Sequence, residues 1–260
     1  MSESQTFWEH LDELRSSLIR MIIALSVCSI VAFCFKDYIF NIILAPQNSN
    51  FPTYRLLEQI GNLLSSMDDT ENSSMSVRLI NTGLAQQFLI HVKASVYVGI
   101  MMASPYIIYL LFRFISPALY SNEKQYASRL VISGYLMFIL GILLSYFLIF
   151  PLTFRFLGTY QVSQIVENAI TIESYIDTLL TICLSMGIVF EIPVLCWIMG
   201  RMGIINASIM RCYRRHVVVI LLVIAAIITP TSDVFTLTIV SLPMWLLYES
   251  SIYIVKRAGR

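Results

Sequence analysis

Carboxylates near the start of the sequence are the first residues whose spacing suggests a chemistry. Thr6 and Glu9 have the spacing of a capping box, which predicts that Thr6 begins a helix and that Glu9 closes its first turn. Asp12 and Glu13 remain as free carboxylates, which either form the solvated face of an interfacial helix or bind a cationic partner. The helix also carries an apolar stripe at steps of four, three and four, made of Phe7, Leu11, Leu14 and Leu18.

A second carboxylate, Glu191, lies inside a strongly apolar run and is followed by Pro193. An acidic residue at the centre of a membrane span costs about 2.5 to 3.5 kcal/mol on insertion scales unless it is neutralised or hydrated. Three roles are open to it: an ion pair with Lys93 or His91, proton or ion coupling, or the lining of a hydrated groove that meets polar cargo.

Other chemistries have no support in the sequence. The three histidines are far apart and lack metal-ligand spacing. No phosphate-binding loop or nucleophile motif is present. We therefore expect no catalytic residues, no metal, no cofactor and no nucleic-acid partner. The histidines are His10, His91 and His216.

Composition defines the elements that must position these carboxylates. With 57% hydrophobic and 13% charged residues, the chain is typical of an all-α polytopic membrane protein. Apolar runs predict one domain, residues 1–260, with six transmembrane helices at 18–35, 88–112, 130–150, 179–199, 217–228 and 234–248. Residues 1–17 form a cytoplasmic amphipathic helix, 36–87 a long external polar loop, and 113–129 and 200–216 the two cytoplasmic loops. The third span is expected to end at Pro151, with Glu167 and Glu173 in the loop after it.

The basic residues predict the orientation. An even number of spans places both termini on one side, and twelve Lys and Arg residues fall on that side against five on the other. By the positive-inside rule both termini are cytoplasmic.

The last two spans are short. Their apolar runs contain 12 and 15 residues, or about 18 and 22 Å of helix, whereas a hydrocarbon core is about 30 Å thick. We hypothesise a locally thin, partly wet bilayer beside Glu191. The alternative is that flanking residues extend these helices through the headgroups.

Five motifs, in register along nearly the whole chain, resemble the TatC family, the receptor subunit of the twin-arginine protein translocase. Residues 7–15 resemble its F-x-x-H-L-x-E-L-R signature, and residues 114–123 its F-x-x-P-x-L-Y-x-x-E loop. Residues 190–193 are similar to its F-E-x-P motif. Ala45-Pro46 resembles the family's dipeptide after the first span, and Thr229, Pro230 and Asp233 resemble the turn before its last span.

The resemblance implies a concave, glove-like bundle in the bacterial cytoplasmic membrane that exports folded proteins using the membrane gradient. It places the site for twin-arginine signal peptides at Glu13 and Glu123, with Arg15, Phe114, Leu119 and Tyr120 nearby. Glu191 and Pro193 then line an intramembrane groove. Single-span partner subunits of the TatA or TatB type are implied at Thr229, Pro230, Asp233 and Pro46, and the receptor self-associates in a larger complex.

Two rival functions remain open from the residues. A proton-coupled small-molecule transporter would use Glu191, and a structural scaffold would need neither carboxylate site. In addition, Glu123 stands at the start of the third span, where an acidic residue is favourable for the helix dipole alone.

Overall fold

A computed structural model describes residues 7–64, 79–115, 127–160, 169–229 and 233–258. These ranges are almost entirely helical. Five helical stretches are long and apolar enough to cross a membrane, and a shorter apolar helix adds a sixth span. In chain order the helices are α1 (Phe7–Cys34), α2 (Lys36–Leu44), α3 (Pro52–Leu64), α4 (Gln86–Ile115), α5 (Ala127–Leu144), α6 (Phe150–Thr159), α7 (Ile172–Val189), α8 (Ile192–Arg201), α9 (Ala207–Cys212), α10 (Arg214–Ile228) and α11 (Val234–Ala258).

Helix α1 joins the predicted amphipathic helix and the predicted first span in one continuous element. It packs mainly against α4, in an antiparallel arrangement, through small residues that allow close approach. A Cβ atom at Gly99 of α4 would lie 2.8 Å from the Ser29 backbone. Leu11 and Leu18 are 39% and 48% exposed, so these two residues of the predicted apolar stripe face outward rather than toward the protein core.

The segment predicted as a long polar loop contains ordered structure over residues 36–64. Helix α2, the 3-10 turn Ala45–Gln47 and α3 form a cap over one end of the bundle. Side-chain hydroxyls fasten this cap: Tyr146 donates to the Ile42 carbonyl at 2.6 Å and Tyr175 to the Ile43 carbonyl at 3.0 Å. The prediction of a plain loop was therefore wrong there. The Ser65–Ser76 tract lies outside the described residues.

The sequence predicts that the third span ends at Pro151. In the structure this span continues through α6 to Thr159. Proline lacks an N–H group and clashes with the carbonyl four residues earlier. The chain accommodates this with a π-helical turn, Ser145–Ile149, immediately before α6. The carbonyl that Pro151 leaves open belongs to Phe147, and the hydroxyl of Thr53 in the cap donates a hydrogen bond to it.

The fourth span is interrupted where α7 ends and α8 begins. Pro193 stands in the first turn of α8 and cannot donate to the Val189 carbonyl, so Phe190 and Glu191 form a turn between the two helices. The Glu191 N–H instead donates to the Ile188 carbonyl at 3.1 Å. Glu173, which was predicted to lie in the preceding loop, belongs to the first turn of α7.

Helices α10 and α11 differ in length. Helix α10 has 15 residues and is short, as predicted, whereas α11 runs for 25 residues, well past the apolar segment that ends at Tyr248. Arg214 at the start of α10 forms an ion pair with Glu249 of α11. Tyr248 donates to the Met210 carbonyl of α9 at 2.8 Å. We call the end of the bundle that holds the start of α1 and the end of α11 the terminal end.

The strands β1 (Leu79–Ile80) and β2 (Ile170–Thr171) form a short parallel pair, with Leu79 opposite Ile170. Near them, Gln86 donates to Glu173 at 2.6 Å. Lys93 forms an ion pair with Asp177 at 2.7 Å. These contacts join α4 to α7 at the end opposite the terminal end.

Candidate functional site

Glu13 lies on a partly covered side of α1. Its side chain is half-buried, and Ser17, one turn further along the same face, is only 9% exposed. By contrast, the adjacent Asp12 is exposed. The two candidate carboxylates therefore differ in exposure, because only Glu13 is partly covered by the rest of the protein.

The depth of Glu13 follows from the pairing of α1 with α4. The Phe33 ring stacks on His91 with centroids 4.0 Å apart, and Ser29 meets Gly99. From the contact between Ser29 and Gly99, sixteen residues toward the terminal end lead to Glu13 on α1 and to Ile115 on α4. Glu13 thus lies level with the last turn of α4.

Two other predicted residues of this site are also described. Phe114 is half-buried in the last turn of α4, and Arg15 is exposed on α1. Leu119, Tyr120 and Glu123 lie outside the described residues. The meeting of Glu13 with Glu123 consequently stays a prediction.

Glu191 occupies the break between α7 and α8, half-buried among apolar side chains. A Cβ atom at Gly134 of α5 would lie 3.1 Å from its Oε2 atom and 3.1 Å from the Phe112 ring. The glycine therefore makes room for the carboxylate. Within the described part of the chain, the buried Oε1 atom has no hydrogen-bond partner.

The proposed ion pair between Glu191 and a residue of α4 is wrong. Lys93 is paired with Asp177, as described above, and His91 lies with its Nε2 atom 3.1 Å from the Phe33 carbonyl oxygen. Both candidate partners are engaged elsewhere, nearer the end of the bundle that carries the cap. The coupling and groove roles of Glu191 remain.

Three of the four predicted partner-contact residues are described, and these three lie at the end opposite the terminal end. Thr229 is buried and its hydroxyl donates to the Ala225 carbonyl at 2.9 Å. Asp233 accepts from the Thr236 N–H at 2.7 Å and so caps α11. Pro46 is buried in the cap, where its carbonyl accepts from Tyr54 at 3.0 Å. Pro230 lies outside the described residues.

A cavity of about 700 Å³ adjoins Asp233 and was not anticipated from the sequence. It lies between the end of α6 and the start of α11, beside the stacked rings of Phe156 and Phe235, whose centroids are 4.0 Å apart. Because Pro151 was expected to end the helix, the residues of α6 were assigned to a loop. The cavity is lined by Phe156, Leu157, Tyr160, Asp233, Val234, Phe235 and Thr238.

Metal binding has no geometric support in the part of the chain that the structure describes, where no group of three His, Cys, Asp or Glu side chains converges. The arrangement that the structure does offer consists of isolated carboxylates at a helix face, at a helix break and at a helix start. Such groups can bind or orient a cationic or hydrogen-bonding partner.

The fold and these sites define a multi-pass α-helical membrane protein. The family model described as Sec-independent protein translocase protein (TatC) matches residues 9–243. The chain belongs to the TatC family and is a component of a Sec-independent protein translocase.

Relatives of similar length support this assignment. The chain is 35% identical to the Sec-independent protein translocase protein TatC of Aquifex aeolicus, over 97% of this chain and 95% of that protein. It is 34% identical to the protein of the same name from Blattabacterium sp. subsp. Periplaneta americana, over 95% and 94%. A crystal structure of a twin-arginine translocase receptor, TatC, superposes with a TM-score of 0.78 at 35% identity, covering 97% of this chain and 100% of that one.

Proposed function

We propose that this chain is the translocase receptor that binds twin-arginine signal peptides at the terminal end and recruits partner subunits to export folded proteins. The observation that carries the proposal is the position of Glu13, half-buried on α1 and level with the last turn of α4. The segment that holds Glu123 begins directly after that turn. Two carboxylates there would match two guanidinium groups, which are permanently charged and bind carboxylates bidentately.

Apolar contacts complete the proposed peptide site. A partly exposed ion pair contributes only about 0 to 1 kcal/mol, so two such pairs alone give weak selectivity. Phe114, half-buried beside the site, together with Leu119 and Tyr120, would contact the hydrophobic stretch of the signal. Arg15 lies two positions from Glu13 on the same helix and is exposed, so it would contact the peptide from a different side of α1.

The test compares Glu13→Gln with Asp12→Asn, a matched control that removes an adjacent exposed acid on a different face. We expect Glu13→Gln and Glu123→Gln each to weaken binding of an Arg-Arg signal peptide about fivefold, the size of one such ion pair. Binding of a Lys-Lys peptide should change less. The measurement is peptide affinity for the protein in lipid nanodiscs. An equal loss in Asp12→Asn would reject the site.

We also propose that the terminal end is cytoplasmic, in the bacterial inner membrane, since twelve of the seventeen Lys and Arg residues belong to that side. Exposed cysteines occur near both ends, Cys34 as the last residue of α1 and Cys212 as the last residue of α9. In single-cysteine variants, an impermeant maleimide should label Cys34 from outside intact cells and Cys212 only in inverted vesicles. The reverse pattern would invert the topology.

Partner subunits of the TatA or TatB type are proposed to dock at the opposite end, around Asp233 and the cavity beside Phe235. That surface offers an apolar concavity with a carboxylate at its edge, a suitable shape for the end of a single-span helix. The other predicted contact residues would pack beneath this surface rather than touch the partner, since Thr229 and Pro46 are buried. Pro230 is assigned to the same group. Self-association of the receptor in a larger complex is part of the same proposal.

The second candidate is a proton-coupled small-molecule transporter, favoured by one observation, the Oε1 atom of Glu191 that has no hydrogen-bond partner among the residues that the structure describes. An export assay with a folded twin-arginine reporter separates the candidates. The receptor predicts loss of export in the double variant Glu13→Gln/Glu123→Gln. The transporter predicts unchanged export there and loss of solute uptake in Glu191→Gln. A scaffold predicts no effect of these changes on export.

A further inference from the structure

A cavity of about 350 Å³ lies between α5, α8 and α11, in the half of the bundle nearer the terminal end. Ser133, the one hydroxyl among its described lining residues, already donates to the Leu130 carbonyl of its own helix at 3.0 Å. The half-buried lining residues and the exposed Leu136 and Leu195 beside them show that it is reached from the apolar outer surface. The lining residues are Leu130, Ser133, Met137, Pro193, Val194, Trp197 and Ile254.

Two arginines stand just beyond the cavity, toward the terminal end. The Arg201 guanidinium lies over the ring of Trp197, 5.5 Å from its centroid. Arg257 follows the lining residue Ile254 by three positions on α11. Helices α8 and α11 are in register there, because a Cβ atom at Gly200 would lie 3.1 Å from Val255. Both arginines are therefore at a similar depth.

Both side chains are exposed, and within the described ranges neither forms an ion pair with a carboxylate. The Arg257 guanidinium lies over the ring of Tyr253, 5.2 Å from its centroid. The groove therefore combines an apolar cavity with two guanidinium groups at its headgroup edge, which complements a molecule with an apolar chain and an anionic head. Guanidinium groups bind phosphate oxygens bidentately, and basic pockets between membrane helices attract anionic lipid headgroups.

We propose that this groove, formed by α5, α8 and α11, binds an anionic phospholipid, with one acyl chain in the cavity and the phosphate between Arg201 and Arg257. The volume is within the range of small-molecule sites, whereas a helix about 10 Å wide requires a longer trough. The proposal is independent of the proposed receptor function, because it requires only that the protein spans a bilayer.

Trp197 provides the measurement, because it lines the cavity. Trp8→Phe and Trp245→Phe leave it as the single tryptophan of the full-length chain. This protein is placed in phosphatidylcholine vesicles, at low protein-to-lipid ratio, with brominated phosphatidylglycerol or brominated phosphatidylcholine added in steps. We expect the anionic lipid to quench Trp197 fluorescence with about fivefold higher apparent affinity. Equal quenching by the two lipids would overturn the proposal.

Variants identify the groups responsible. Arg201→Gln should reduce the preference for the anionic lipid to near onefold, while Arg201→Lys should retain part of it. Arg215→Gln removes an exposed arginine from α10, a helix that does not line the cavity, and should leave the preference unchanged. Val194→Phe fills the cavity and should reduce quenching by both lipids. An equal loss of preference in Arg201→Gln and Arg215→Gln would show only a diffuse surface charge and would reject the site.

Discussion

At the scale of single residues, hydroxyl groups join the cap to the bundle at backbone carbonyls. Thr53 donates to the Phe147 carbonyl, the acceptor that Pro151 leaves without its helical donor. Tyr54, only 4% exposed, donates to the carbonyls of Pro46 at 3.0 Å and Pro151 at 3.4 Å. A buried carbonyl without a donor costs about 1 to 3 kcal/mol, so these hydrogen bonds stabilise the cap in its observed position.

The phenol of Tyr54 makes this attachment pH-dependent. Burial raises the pKa of Tyr54 from 10.0 to about 12, because the phenolate is poorly solvated there. The folded state thus holds the proton more tightly than the unfolded state, and the resulting stabilisation is complete below about pH 10. It declines as the pH rises through about 12 and the folded-state phenol ionises.

We expect Tyr54→Phe to lack this dependence. The difference in the free energy of unfolding between wild type and variant should fall by up to about 3 kcal/mol from about pH 9 to above pH 12. The measurement is denaturant unfolding in detergent across that pH range. Tyr160→Phe, at an exposed tyrosine, is the control and should follow wild type. A constant difference for Tyr54→Phe would contradict the prediction.

At the scale of elements, two of the four prolines in the long spans coincide with interruptions of the α-helix. Pro193 coincides with a full break between α7 and α8, and Pro151 with a π-helical turn, whereas Pro105 lies within an uninterrupted α4. The break at Pro193 is the one next to a candidate functional residue, because it puts Glu191 in the turn beside Gly134. The proline thus positions the carboxylate.

Replacing Pro193 by Ala restores an N–H donor for the Val189 carbonyl, and we expect α7 and α8 to straighten into one helix. Spin labels at Ser174 and Met199, both exposed, should then move apart toward the about 37 Å expected for a straight helix of that length. Electron paramagnetic resonance distance measurements check this. Val194→Ala leaves the backbone donors unchanged and should keep the wild-type distance. An unchanged distance in Pro193→Ala would mean that tertiary packing alone bends the span.

At the scale of the whole molecule, the spans differ in length around the bundle. Helix α10 has 15 residues, or about 22 Å, against about 30 Å for a hydrocarbon core. The neighbouring α11, with 25 residues, is long enough to reach through the headgroups. The hypothesis of a thin bilayer therefore concerns the side of α10. That side adjoins the turn at Glu191, because Phe190 packs in one cluster with Leu221.

We expect bilayer thinning along α10 and not along α1. Ile227 and Val27 are 77% and 56% exposed, and each lies six or seven residues from the middle of its helix. A nitroxide at Ile227 should be more accessible to a water-soluble relaxation agent than one at Val27, because the membrane surface comes closer to the middle of α10. Equal accessibility would indicate a bilayer of uniform thickness.

Local features of the sequence were sufficient for much of this fold. Hydropathy predicted six spans, and the described helices confirm five long ones and a short α10. The motif order predicted the TatC family, which the family model confirms. Glu13 was identified by its position in a short signature. Each of these predictions depends on residues close together in the chain, where composition and helical periodicity carry the information.

Long-range contacts decided the rest. The sequence by itself determined which segments enter the membrane and which carboxylates are unusual, because the transfer of a side chain into lipid depends on that side chain and its near neighbours. Only the tertiary structure decided that Lys93 pairs with Asp177, that a helix continues past Pro151 under a cap, and that Arg201 borders a cavity. Those outcomes depend on contacts between residues that are far apart in the chain, and a local sequence pattern does not specify such contacts.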